Sequence, residues 1–141
     1  MSQRQLYFEF LDPEQSGVFL VAAEDLQPFA DGARAAGLAV REIDLRGCFD
    51  KAALLERMAA VLEFPPGFGA NWDALLDSLR DLGWLPEGGV ALLFIEAAGL
   101  REQAPADFAM LLEILDEAAS AWRAAGLPFW ALMAGAEDFE A

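Results

Sequence analysis

Two carboxylates four residues apart, Asp73 and Asp77 in the stretch FPPGFGANWDALLDSL (residues 64–79), are the groups in this chain best spaced to do chemistry. On a helix they stand one turn above the other, where like charges repel by about 0.2–0.5 kcal/mol. Such a pair can serve as acid and base, as oxygen ligands for a hard cation, or as a docking surface for a cationic partner. The chain has no histidine, so it lacks the commonest general base and the commonest zinc ligand. It has no clustered Asp/Asn/Gly loop of the calcium type. Neither a metal nor a cofactor is therefore expected, and no catalytic residue is assigned. The single cysteine, Cys48, has no histidine to activate it and no second cysteine to pair with. It reads as a small semi-buried residue rather than a nucleophile.

Charge narrows the partners. Twenty-four Asp and Glu face nine Lys and Arg, a formal net charge of −15 at pH 7. That surface repels nucleic-acid phosphates and anionic membranes, so neither is an expected partner. It attracts a basic protein and speeds encounter with it. A solvated acidic surface with no partner is the bland alternative. The N-terminal residues MSQRQLYFEFLDPEQ have no apolar run of the signal-peptide kind, and VALLFI (residues 90–95) is too short to span a bilayer. A cytoplasmic protein is expected, monomeric when free.

The elements that must position the two acids are readable from periodicity. In residues 71–82, Trp72, Leu75, Leu76 and Leu79 fall at i, i+3, i+4 and i+7 and make one apolar stripe. Asp73 and Asp77 lie on the other side, with Arg80 or Asp81. Asn71 is the natural N-cap, and Asp73 then sits in the first turn, where the helix dipole favours an acid. Asp77 lies beyond that reach. A preceding helix over residues 51–64 carries Leu54, Leu55, Met58, Val61 and Leu62 on one face, with Asp50 as its N-cap, and Pro65-Pro66-Gly67 ends it.

Further out, residues 6–11 (LYFEFL), 17–22 (GVFLVA), 39–45 (AVREIDL), 90–96 (VALLFIE) and 128–133 (PFWALM) have strand character. Residues 24–37 and 106–125 have helix character, the first with acids in its opening turn. The phrase RAAGL occurs at residues 34–38 and again at 123–127, each time between a helix and a strand. Arginine in the last turn, glycine as the left-handed cap and leucine packing back form one solution to ending a helix. Strands alternating with helices predict an α/β fold with a small, mainly parallel sheet packed against helices. The 141 residues suit one domain, residues 1–141, with no linker inside it.

The order of Pro65, Gly69, Asn71, Asp73, Ala74, Leu75, Asp77 and Leu79, with its flanking elements, resembles the barstar family of intracellular ribonuclease inhibitors. The resemblance covers a core over residues 39–134. Residues 1–38 would be an N-terminal extension adding one βα unit, and residues 135–141 an acidic tail. The resemblance implies a barstar-like layered domain that is not an enzyme. It implies an immunity-type protein that lays its acidic helix and the loop before it over the active site of a basic, secreted-type ribonuclease or related toxin. By position, Asp77 would be the central plug, Asp73 would flank it, and Phe68, Gly69 and Asn71 would form the loop edge. Gly83 and Trp84 would match a Gly-Trp pair after the helix, and Glu117 a contact from the long helix. The pattern departs at Gly67, Ala70, Leu76 and Arg80, the last placing a cation near a surface meant for a basic site. Two further readings stay open: a module of the same fold that binds a different basic protein or toxin, and an enzyme using Asp73 and Asp77 as acid and base.

Overall fold

The computed structural model describes residues 10–81 and 88–136. Four strands, β1 (Gly17–Val21), β2 (Ala39–Asp44), β3 (Val90–Ile95) and β4 (Phe129–Ala134), form one sheet in the order β1-β4-β3-β2, parallel throughout. Five helices are described: α1 (Leu26–Ala35), α2 (Lys51–Leu62), α3 (Trp72–Asp81), α4 (Ala98–Gln103) and α5 (Pro105–Ala124). The α/β expectation holds. Strands β3 and β4 are central and covered on both faces, which is why VALLFI and FWALMA are unbroken apolar runs. The edge strand β2 instead carries Arg41, Glu42 and Asp44, charges that discourage pairing with another chain.

Strand order decides which face each helix covers. The β1-to-β2 crossover traverses the whole sheet, whereas the next two return across it one strand at a time. Right-handed crossovers running in opposite directions put their helices on opposite faces. Accordingly Val90, Leu92, Phe94, Phe129, Ala131 and Met133 pack with residues of α2 to α5. Their neighbours Ala91, Leu93, Trp130 and Leu132 pack with Phe10 and with Ala30 and Ala33 of α1. Side chains alternating along each strand feed both cores.

Residues before β2 are tied to the sheet on both sides. β1 pairs with β4 from Gly17↔Trp130 to Val21↔Ala134. Val18 and Leu20 pack into the larger core, and Val21 into the smaller. The Trp130 indole N–H donates to the Phe10 carbonyl at 2.9 Å. Arg123, the first residue of the second RAAGL, donates to the carbonyls of Pro13 (3.3 Å) and Ser16 (3.2 Å). Gly32 permits this packing, since a Cβ there would stand 2.4 Å from the Phe10 ring.

Both RAAGL phrases end their helices in the same way. Leu38 N–H donates to Ala33 and Gly37 N–H to Arg34; Leu127 N–H donates to Trp122 and Gly126 N–H to Arg123, all at 2.9–3.0 Å. Gly37 and Gly126 have φ of 95° and 80°, the left-handed conformation this double bond requires.

Three expectations need correcting, and one helix has no counterpart among the elements expected from the sequence. Most of the strand expected over residues 6–11 lies outside the described residues, and its last two members, Phe10 and Leu11, are not in a strand. Glu24 and Asp25 do not open α1 but belong to a 3-10 turn, Ala23–Asp25, ahead of it. The short helix α4, buried only through Leu100, has too few apolar positions to announce itself. Cys48 is fully buried rather than semi-buried. Burial pushes its thiol pKa up, which keeps it protonated and unreactive.

Candidate functional site

The two acids stand on a helix that is firmly anchored from beneath. Leu75 and Leu79 of α3 are completely buried, and Trp72 and Leu76 are half-buried against the same core. Asn71 caps the helix as its position predicts, its side-chain oxygen accepting from Ala74 N–H at 2.8 Å. The Asn71 amide also reaches back to the Gly69 carbonyl at 3.4 Å. Lys51, the first residue of α2, holds its ammonium 5.3 Å from the centre of the Trp72 ring. At the far end, the Trp122 indole N–H of α5 donates to the Leu79 carbonyl at 2.8 Å. That bond satisfies one of the carbonyls left open at a helix C-terminus and ties α3 to the long helix.

On this support the opposite face of α3 points to water. Asp73 and Asp77 are both exposed, the Asp77 side chain to 80%. No described cation lies within ion-pair distance of Asp73. Asp77 has one such neighbour: Arg80 Nη1 is 3.9 Å from its Oδ1. The other arm of the same guanidinium, Nη2, lies 3.7 Å from Oε2 of Glu117 on α5. The structure thus brings Asp77, Arg80 and Glu117 into one row across two helices. Neither contact is short enough for a hydrogen bond, and solvent-exposed pairs of this kind are weak, about 0–1 kcal/mol.

The loop before α3 forms one wall of an open groove. Pro65, Pro66, Gly67, Phe68 and Gly69 line one side, and Ala74, Asp77 and Ser78 the other. Phe68 is half-buried, with its ring centre 4.9 Å from that of Phe64. Part of its area is therefore spent on the protein's own core. Gly69 and Asn71 are exposed. Between them Ala70 adopts φ 53°, a left-handed conformation that is uncommon for a residue with a Cβ. The turn that aims the chain into α3 is thus set by a non-glycine residue, which sequence alone did not suggest.

Of the expected site residues, Phe68, Gly69, Asn71, Asp73, Asp77 and Glu117 fall on one side of the molecule, in the loop, α3 and the adjacent α5. Gly83 and Trp84 lie outside the described residues. Lys51 and Trp122 are not among the residues expected from the sequence, and no local pattern signals Trp122, whose partner is 43 residues away. Both carboxylates face solvent beside an open groove, a setting suited to electrostatic capture of a cation. Acid–base catalysis uses the opposite, a site where burial separates the pKa values of its groups. Among the described residues, no three His, Cys, Asp or Glu side chains are grouped to hold a metal ion. No described helix is long and apolar enough to cross a membrane.

A parallel α/β sheet with four helices on one face, one of them capped and acid-bearing, is a barstar-like layered fold. The family model described as Barstar (barnase inhibitor) matches residues 38–134, more than half of the chain, and the chain belongs to the barstar family. Members of that family are inhibitors rather than enzymes. No curated protein matches the chain.

Proposed function

We propose that this protein is a non-catalytic, immunity-type inhibitor that binds a basic microbial ribonuclease and blocks its active site. Binding runs through α3 and the loop before it. The observation that carries this reading is Asp77: it is 80% exposed on a helix whose other face is fixed by fully buried Leu75 and Leu79. A carboxylate on a helix anchored in this way needs no rearrangement of the backbone to enter a cationic pocket as the substrate's phosphate would. The family match supports the partner class, and the net charge of −15 supports fast encounter with a basic enzyme.

The test is inhibition of a basic microbial ribonuclease by the purified chain, with Asp77→Ala as comparison and folding checked by circular dichroism. Asp77→Ala should weaken binding by about 3 kcal/mol or more, because it leaves the enzyme's cations buried and unpaired. Unchanged inhibition by a folded Asp77→Ala variant would refute this reading. One observation favours a second: Arg80 stands beside both Asp77 and Glu117. It fits a module of the same fold that binds a different basic protein or toxin without inhibiting a ribonuclease. Binding without loss of nuclease activity would select that alternative.

A further inference from the structure

We propose that Arg80 is the specificity-determining residue of the acidic face. It selects a partner that sets a carboxylate beside its cationic pocket, and it discriminates against a site that is cationic throughout. The inference rests on the reading of α3 as the binding surface and names a feature its partner must have.

The argument starts from placement. Arg80 reaches Asp77 at 3.9 Å with one arm and Glu117 at 3.7 Å with the other. Any cation that a partner brings to Asp77 or Glu117 also approaches this guanidinium. Docking removes the water that screens the two like charges, and their repulsion rises as the local dielectric falls. The Arg80 backbone cannot retreat: the preceding residue, Leu79, is fully buried and its carbonyl is held by Trp122. Once the partner's cations engage Asp77 and Glu117, Arg80 loses those two neighbours; its side chain, 48% exposed, then turns outward, and in a dry interface its new acceptor comes from the partner. A carboxylate meets the fork of a guanidinium best. The proposed partner is therefore a basic protein whose cationic pocket, opposite Asp73 and Asp77, is bordered by an Asp or Glu opposite Arg80.

Arg34 supplies an internal control. It lies in the last turn of α1 and approaches Asp31 at 3.9 Å and Glu42 at 3.6 Å, the same arrangement on the other face of the sheet. Arg34→Ser and Arg80→Ser change the net charge equally, so their difference removes the effect of general steering.

The experiment measures the affinity of the full-length chain for barnase, the ribonuclease named in the family's description, by titration calorimetry with each variant's fold checked by circular dichroism. Arg80→Ser should bind barnase at least about ten-fold more tightly than the unaltered chain, and Arg80→Glu more tightly still; Arg34→Ser should match the unaltered chain. No gain in Arg80→Ser, including no measurable binding at all, overturns the assignment. An equal gain in Arg34→Ser overturns it too, since net charge would then account for the effect. Adding Asp77→Ala to Arg80→Ser separates the two readings. If it abolishes the binding, the acidic face stands whatever Arg80 does. If affinity survives, the reading of that face fails and the assignment of Arg80 falls with it.

Discussion

Helices α3 and α1 sit on opposite faces of one sheet and finish alike. Arg80 approaches an Asp three residues back and a Glu on α5; Arg34 approaches an Asp three residues back and a Glu on β2. A cation in the last turn complements the helix dipole, and the i, i+3 spacing brings it over the earlier acid. An arginine between two acids is thus a general way to end a helix and does not by itself mark a site. What differs is the support. α3 has a side-chain cap, an acid in its first turn and two fully buried leucines, and it borders an open groove. α1 has no side-chain cap and no acid in its first turn, and only Ala30 and Ala33 are buried. Its face is filled by an aromatic cluster drawn largely from elsewhere: Phe29 of α1 meets Phe10 and Trp130 edge-on, the three rings 4.8–6.1 Å apart, and Phe19 stacks on Trp130 at 5.7 Å. One face presents charge from a rigid frame, whereas the other uses a helix of small residues and an aromatic cluster to close the sheet.

The largest test of that contrast is removal of the second face. A chain beginning at Ala39 should lose roughly 10 °C or more in melting temperature and should aggregate, because it uncovers Leu93, Trp130 and Leu132 and opens the β4 edge. An unchanged melting temperature would mean that the residues before β2 are an ornament on a self-sufficient core. Next, Leu75→Ala should reduce stability by about 2–5 kcal/mol in denaturant titrations, as large-to-small changes at fully buried sites do. A loss within the range of surface substitutions would show that α3 is not anchored as its burial indicates.

The third test sharpens the likeness. Arg80→Ser and Arg34→Ser should each change folding stability by less than about 1 kcal/mol, since both bridge exposed acids. If only Arg80→Ser destabilised the fold markedly, its role would be structural and not selective. The smallest effect concerns Asp44, at the end of β2. Its carboxylate accepts from the Arg46 side chain at 2.7–3.1 Å and from the Arg46 backbone at 3.0 Å, which lowers its pKa from 3.8 to about 2. A depressed folded-state pKa contributes stability above the unfolded value that is lost as pH falls through the folded one. The stability difference between the native chain and Asp44→Asn should therefore be constant above about pH 4–5, shrink as pH falls towards the folded pKa of about 2, and level off only below it, as followed by acid titration of unfolding. A difference independent of pH would show that the Asp44–Arg46 pairing does not persist in solution.

How much of this was legible beforehand depends on the range of the interaction. The cap at Asn71, the cap at Asp50 that accepts from Ala53 N–H at 2.9 Å, and the paired RAAGL endings are settled within five residues, and each was readable. So was the stripe of Trp72, Leu75, Leu76 and Leu79, because helical period alone gathers it on one face. Phe10 and Leu11 misled, since aromatic alternation looks like a strand whether or not a neighbouring strand is there to pair with it.

By itself, then, the sequence determined four of the five described helices and the caps at Asp50, Asn71, Gly37 and Gly126, the apolar runs destined for a two-sided sheet, and the spacing that sets Asp73 above Asp77. Tertiary structure alone decided that α1 lies across the sheet from α3, because that follows from strand order and the handedness of crossovers. It alone decided that Arg80 would find Glu117 and that Trp122 would close the end of α3. Backbone bonds and helical period act over a few residues and are written locally. Contacts between α3 and α5 exist only after a whole strand and a short helix have been laid between them, so no local pattern could have encoded them.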